Sequence, residues 1–120
     1  MEFNFYHLKV WQKAHQLTLD IYKTTINFPK YELYGITSQL RRAAFSIAAN
    51  IVEGYSRKSK KEFIQFLYQA RGSLDETAYF LILSKDLNYI TDEEFNNLTK
   101  SASELTKMLN SFITKIKSQI

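Results

Sequence analysis

Thr91-Asp92-Glu93-Glu94-Phe95-Asn96-Asn97-Leu98-Thr99-Lys100-Ser101-Ala102-Ser103-Glu104-Leu105 decides the fold. Its first four residues form a capping box. The threonine hydroxyl accepts from the backbone N–H three residues on, and the glutamate reaches back to the threonine N–H. Three acids then sit at the positive end of the helix dipole. Beyond them Phe95, Leu98, Ala102, Leu105, Leu109, Phe112 and Ile116 recur at steps of three and four, which is one helical face. The pattern predicts a helix over 92–118.

Working back, Ser59-Lys60-Lys61-Glu62 repeats the capping signature and predicts a helix over 60–87, with Phe63, Leu67, Ala70, Leu74 and Leu81 on its core face. A helix over 37–54 carries the stripe Ile36, Leu40, Ala43, Ile47 and Ile51. Thr37 or Ser38 is its expected cap, and Gly54 is read as a left-handed terminator. Ala43, Ala44, Ala48 and Ala49 leave room for a close neighbour. The first helix is expected over 8–27, with Val10, Ala14, Leu17, Ile21 and Phe28 inward. Pro29 ends it, because proline disfavours helix in the residue before it, and 30–35 is a connector flexing at Gly35. Four amphipathic helices, short connectors and no strand pattern predict an all-α, antiparallel up-and-down four-helix bundle, one domain over 1–120.

Composition narrows the function. With 45% hydrophobic and 23% charged residues, one proline and three glycines, the chain reads as globular and not disordered. It has no cysteine, which excludes disulfides, thiolate metal sites and cysteine nucleophiles. No secretory signal is visible in 1–10, and no apolar run reaches the roughly 18 residues of a membrane span. The expectation is a cytoplasmic protein with no membrane partner.

Catalytic patterns are missing as well. His7 and His15 have no glutamate three residues before them, so the Glu-x-x-His pairs of di-iron bundles are absent, and each reads as a surface or boundary residue. Asp75 and Glu76 are adjacent on a helix and point about 100° apart, so they do not share a proton. There is no phosphate-cradling glycine loop and no nucleophile elbow. A non-enzyme with no catalytic residues, metal or cofactor is expected. Asn50 and Glu53 are read as polar groups that bond a neighbouring loop or helix. Gly72, in a helix interior, is read as a point of close helix approach within the bundle or between subunits.

Two surfaces remain for function. The third helix is apolar over most of its circumference. Phe66 and Phe80 flank its core stripe on one side, Ile64 and Ile82 on the other, and Tyr68 and Tyr79 lie further round; Phe45 and Val52 lie off the inner stripe of the second helix. A monomeric bundle needs one stripe per helix, so Phe45, Val52, Ile64, Tyr68, Tyr79 and Ile82 are expected at a subunit interface. The net charge of +4 is uneven: residues 1–60 carry nine Lys/Arg against four Asp/Glu, and 61–120 seven against eight. Arg41, Arg42, Arg57, Lys58, Lys60 and Lys61 are the candidate residues for binding RNA or DNA through its backbone, since no base-reading motif is present. The alternative is a structural or adaptor oligomer that binds a protein partner without nucleic acid.

Several longer motifs resemble one bacterial family. They are Tyr34-Gly35-Ile36-Thr37-Ser38-Gln39-Leu40-Arg41-Arg42-Ala43-Ala44, Ser46-Ile47-Ala48-Ala49-Asn50-Ile51-Val52-Glu53-Gly54-Tyr55, Ser59-Lys60-Lys61-Glu62-Phe63, Ala70-Arg71-Gly72-Ser73-Leu74-Asp75-Glu76 and Leu87-Asn88-Tyr89-Ile90. From Trp11 onward the chain resembles the proteins encoded in intervening sequences of bacterial 23S ribosomal RNA genes, also labelled S23 ribosomal proteins. It is similar too to accessory variability proteins of diversity-generating retroelements. The resemblance implies an antiparallel four-helix bundle assembled as a homopentamer. For the retroelement relatives it implies binding to nucleic acid and to a reverse transcriptase. Ala48 departs from the family pattern, where many relatives have proline, and implies a straighter helix.

Overall fold

The computed structural model describes residues 3–120; residues 1 and 2, part of the expected domain and of the stretch read for a signal, lie outside them. The described chain is all-helical, with four long helices and, among the described residues, no strand. They are α1 (Lys9–Thr25), α2 (Ser38–Tyr55), α3 (Lys60–Asp86) and α4 (Asp92–Lys117). A short 3-10 turn, Asn4–His7, precedes α1.

Each helix packs on two others: α1 on α2 and α4, and α3 on α2 and α4. Their buried faces merge into one apolar cluster that includes Leu17, Ile21, Leu40, Ile47, Leu67, Leu74, Leu105 and Leu109. Fully burying one such side chain contributes about 1.5–3 kcal/mol before the entropy of ordering it is set against it. Apart from Thr37, the buried polar side chains among the described residues have hydrogen-bond partners. Thr77 and Ser84 donate to the Ser73 and Phe80 carbonyls at 2.8 and 2.7 Å, and Thr18 reaches both the Ala14 carbonyl and the Ala44 carbonyl of α2.

The helix ends follow from local hydrogen bonds. At α4 both arms of the capping box form: Thr91 Oγ1 accepts from the Glu94 N–H at 3.0 Å, and Glu94 accepts from the Thr91 N–H at 2.9 Å. At α3 only one arm forms, from the Glu62 N–H to Ser59 Oγ at 3.2 Å. Helix α1 stops at Thr25, short of the expected Asn27, because the Asn27 and Phe28 N–H groups turn back onto the Thr24 and Thr25 carbonyls.

Three sequence expectations are corrected. Neither Thr37 nor Ser38 caps α2. The chain enters that helix already coiled, through a 3-10 turn over Lys30–Glu32 and a wide turn over Leu33–Thr37, and the Ser38 hydroxyl donates back to the Gly35 carbonyl. Gly54 is no left-handed terminator: it lies inside α2 with negative φ. A Cβ there would stand 2.7 Å from the Phe66 Cβ and 2.8 Å from a Phe63 ring carbon, so close contact with α3 explains the glycine. Gly72 meets nothing among the described residues within 4 Å of where a Cβ would sit, which removes close approach to another helix of its own chain as its reason.

The left-handed terminator belongs instead to α3. Asn88 has φ 63°, and the Asn88 and Tyr89 N–H groups bond the Lys85 and Ser84 carbonyls, the paired bonds of a Schellman motif. Tyr89 then packs its ring on Phe28 and donates its hydroxyl to Glu32 at 2.7 Å, joining the α3–α4 turn to the α1–α2 connector. No helix is long and apolar enough to cross a membrane among the described residues.

Candidate nucleic-acid interface

The α2–α3 turn is four residues long. The Ser56 N–H returns to the Val52 and Gly54 carbonyls and the Arg57 N–H to the Gly54 carbonyl, so the chain reverses tightly and Ser59 caps α3 at once. This geometry leaves Lys58, Lys60 and Lys61 exposed, with no ion pair to any of them among the described residues. Arg57 differs: it pairs with Glu53 at 2.6 Å and lies 4.8 Å over the Phe66 ring.

The six expected basic residues do not converge. Arg41 and Arg42 open α2, whereas the lysines follow its end. At 1.5 Å of rise per residue the two groups are separated by about 20 Å along the helix. Arg42 pairs with Glu76 at 2.9 Å and also contacts Gln39. Arg41 is turned onto α1, where its Nε donates to Thr25 Oγ1 at 2.8 Å and its guanidinium stacks 4.7 Å over Tyr22. Glu53 bonds Arg57 in the turn that follows α2, as expected, whereas Asn50 donates to the Ser46 carbonyl within α2 and not to another element. His15 stacks on Trp11 and His7 meets Tyr55 edge-on.

The lysine cluster has neighbours that the motif reading missed. A cleft of about 310 Å³ brings Lys58 and Lys60 together with Ile116 and Gln119 at the end of α4. A second, of about 370 Å³, joins Lys61 to Lys117, whose ammonium lies 5.2 Å over the Tyr68 ring. A third groove of about 500 Å³ runs between Lys9 and Lys115. One end of the molecule therefore gathers Lys9, Arg57, Lys58, Lys60, Lys61, Lys115 and Lys117 against Glu53 and Glu62. The start of α4 instead carries Asp92, Glu93 and Glu94. The available signal was basic residues in the last turn of α4, where they also suit the helix dipole.

The expected interface residues divide similarly. Phe45, Tyr79 and Ile82 are 46%, 56% and 48% exposed, and Val52 is half-buried. Ile64 is corrected: it is 5% exposed and belongs to the chain's own core, on the side of α3 where it shares a cleft with Lys117 of α4. Tyr68 is half-buried beneath Arg71 and Lys117. Leu19 and Ile26 of α1 and its C-terminal flank are exposed apolar residues that had not been singled out. Among the described residues no cluster of three His, Asp or Glu side chains is placed to hold a metal.

Residues 6–111 match the family model described as 23S rRNA-intervening sequence protein. The chain belongs to this family. No curated protein matches it. Among solved structures it is similar to a protein of unknown function from the S23 ribosomal protein family of Bacteroides thetaiotaomicron, with 31% identity and a TM-score of 0.78, over 87% of this chain and 97% of that one. The family description names no enzymatic activity. Its match encloses Lys58, Lys60 and Lys61, while Lys115 and Lys117 lie beyond the matched residues.

Proposed function

We propose that this intervening-sequence protein is a non-catalytic, single-domain, antiparallel up-and-down four-helix bundle that forms a homopentamer in the cytoplasm and binds RNA or DNA through its backbone. The bundle topology is supported by connector length. Four residues reach about 14 Å at most, whereas α3 is about 40 Å long, so a helix that packs along α2 after such a turn runs back beside it. The buried seam of α3, Phe63, Leu67, Ala70, Leu74, Thr77, Leu81 and Ser84, alternates steps of four and three, the repeat of left-handed bundle packing.

The observation that carries the binding reading is the basic end, where Lys58, Lys60 and Lys61 have no ion-pair partner among the described residues and lie beside Lys117. Phosphate contacts release counterions and do not depend on sequence. A ring of copies repeats the end around an axis and multiplies weak contacts through effective concentration. The exposed Phe45, Tyr79 and Ile82 favour assembly. They also favour the second reading, an adaptor oligomer holding a protein partner such as a reverse transcriptase.

The test is a low-salt gel shift with a mixed-sequence RNA and DNA. Neutralising Arg57, Lys58, Lys60 and Lys61 together weakens binding, whereas Arg42→Gln, at the other end of α2, leaves it nearly unchanged. Equal affinity of the quadruple variant removes the site, and no binding by the parent protein removes the function. A partner retained in a pull-down after nuclease treatment favours the adaptor.

A further inference from the structure

Thr37 is 3% exposed and its Oγ1 is buried with no hydrogen-bond partner among the described residues. Leaving a buried hydroxyl unpaired is costly, and native structures rarely do so without a water or ligand to complete it. Thr37 lines an open cleft of about 410 Å³ between the end of α1 and the connector that leads into α2. That volume is within the range of small-molecule sites.

The chemistry of the lining is divided. Ile26, Phe28, Pro29 and Leu33 give it apolar walls, and Arg41 and Lys30 give it two cations. Arg41 is held in place by its Nε bond to Thr25 and by stacking on Tyr22, while its terminal nitrogens have no hydrogen-bond partner among the described residues. A planar guanidinium fixed at one edge presents its remaining donors to a carboxylate in a set orientation. Lys30 is in no ion pair among the described residues. The nearest acid on the connector, Glu32, is occupied by the Tyr89 hydroxyl.

We infer that the cleft between α1 and the α1–α2 connector binds a small carboxylic acid with a branched apolar tail, its carboxylate on Arg41, Lys30 and Thr37. The tail lies against Ile26, Phe28 and Leu33. This site is at the opposite end of α2 from the lysine cluster and does not rest on the nucleic-acid reading.

The test is a titration of the isotope-labelled full chain with isocaproate, followed by amide chemical shifts, with isocaproamide as the uncharged control and acetate as the tail-less one. Saturable shifts are expected at Thr25, Ile26, Leu33, Thr37 and Arg41, with both controls at least about tenfold weaker. Arg41→Met lowers affinity by about tenfold or more, and Thr37→Val, which removes the hydroxyl at nearly constant shape, by about threefold or more. Should Arg41→Met unfold the chain, Arg41→Lys and the amide control make the same comparison. No saturation up to about 10 mM, equal binding of acid and amide, or shifts confined elsewhere would overturn the site. So would capture there of a peptide carboxyl terminus by a chain that ignores isocaproate.

Discussion

Gly54→Ala separates two explanations of one residue. If Gly54 were needed only for backbone freedom, alanine would be neutral or better, since its φ is negative and it lies within α2. Glycine costs a helix interior about 1 kcal/mol relative to alanine. The structure gives the opposite sign. The new methyl would lie 2.7 Å from the Phe66 Cβ, 2.8 Å from the Phe63 ring and 3.2 Å from the Phe63 carbonyl oxygen. The first and last of these belong to the rigid part of α3, so α2 and α3 must separate. Such overpacking costs about 1–3 kcal/mol, and together with the lost contacts it outweighs the propensity gain. Urea unfolding followed by circular dichroism should place the Gly54→Ala midpoint below the parent's. Gly72→Ala is the control: with open space around it, the same change should stabilise by about 0.5–1 kcal/mol. A Gly54→Ala protein as stable as Gly72→Ala would refute the close approach.

Three further outcomes follow from named contacts. Thr91→Ala removes the acceptor of the α4 capping box and should cost about 1 kcal/mol in urea unfolding; no change would mean that solvent serves the Glu94 N–H as well. The hydrogen bond from Lys13 holds the Glu104 carboxyl below its ordinary 4.5, so its contribution is present above that value and lost as pH falls through the lower folded value; Glu104→Gln should narrow its gap to the parent in acid, and a gap that persists there would contradict the pairing. Replacing Phe45, Tyr79 and Ile82 together by serine should reduce the mass in light scattering from about five times the 14.1 kDa chain mass toward one, whereas a parent already at one chain mass removes the proposed assembly.

The four helices were legible because each carries a stripe at helical spacing and two open with capping signatures. Their helix ends were less legible. Gly54 satisfies the rule for a terminator and the rule for a close approach equally well, and only the position of Phe66 on another helix separates them. Asn88, the true left-handed residue, has no signal in composition that distinguishes it from other turn asparagines. The basic site was half legible: Lys58, Lys60 and Lys61 fall within one four-residue stretch, but Lys115 and Lys117 join them only through packing of α4 on α3. The separation of Arg41 and Arg42 from the lysines was not legible, because a run of cations does not reveal the partners that Thr25, Tyr22 and Glu76 supply from other helices. Ile64 misled for a related reason, since a helix apolar on three sides does not state which side its own chain covers.

The most direct test of the account is the salt dependence of binding to a single-stranded RNA, measured by fluorescence anisotropy for the parent and for Lys58→Gln/Lys60→Gln/Lys61→Gln. Each phosphate contact adds about 0.7 to the slope of log affinity against log salt. If the basic end holds the backbone, the triple variant loses about 2 from that slope per chain engaged. A parent protein that does not bind at low salt, or a triple variant with the parent's slope, contradicts it.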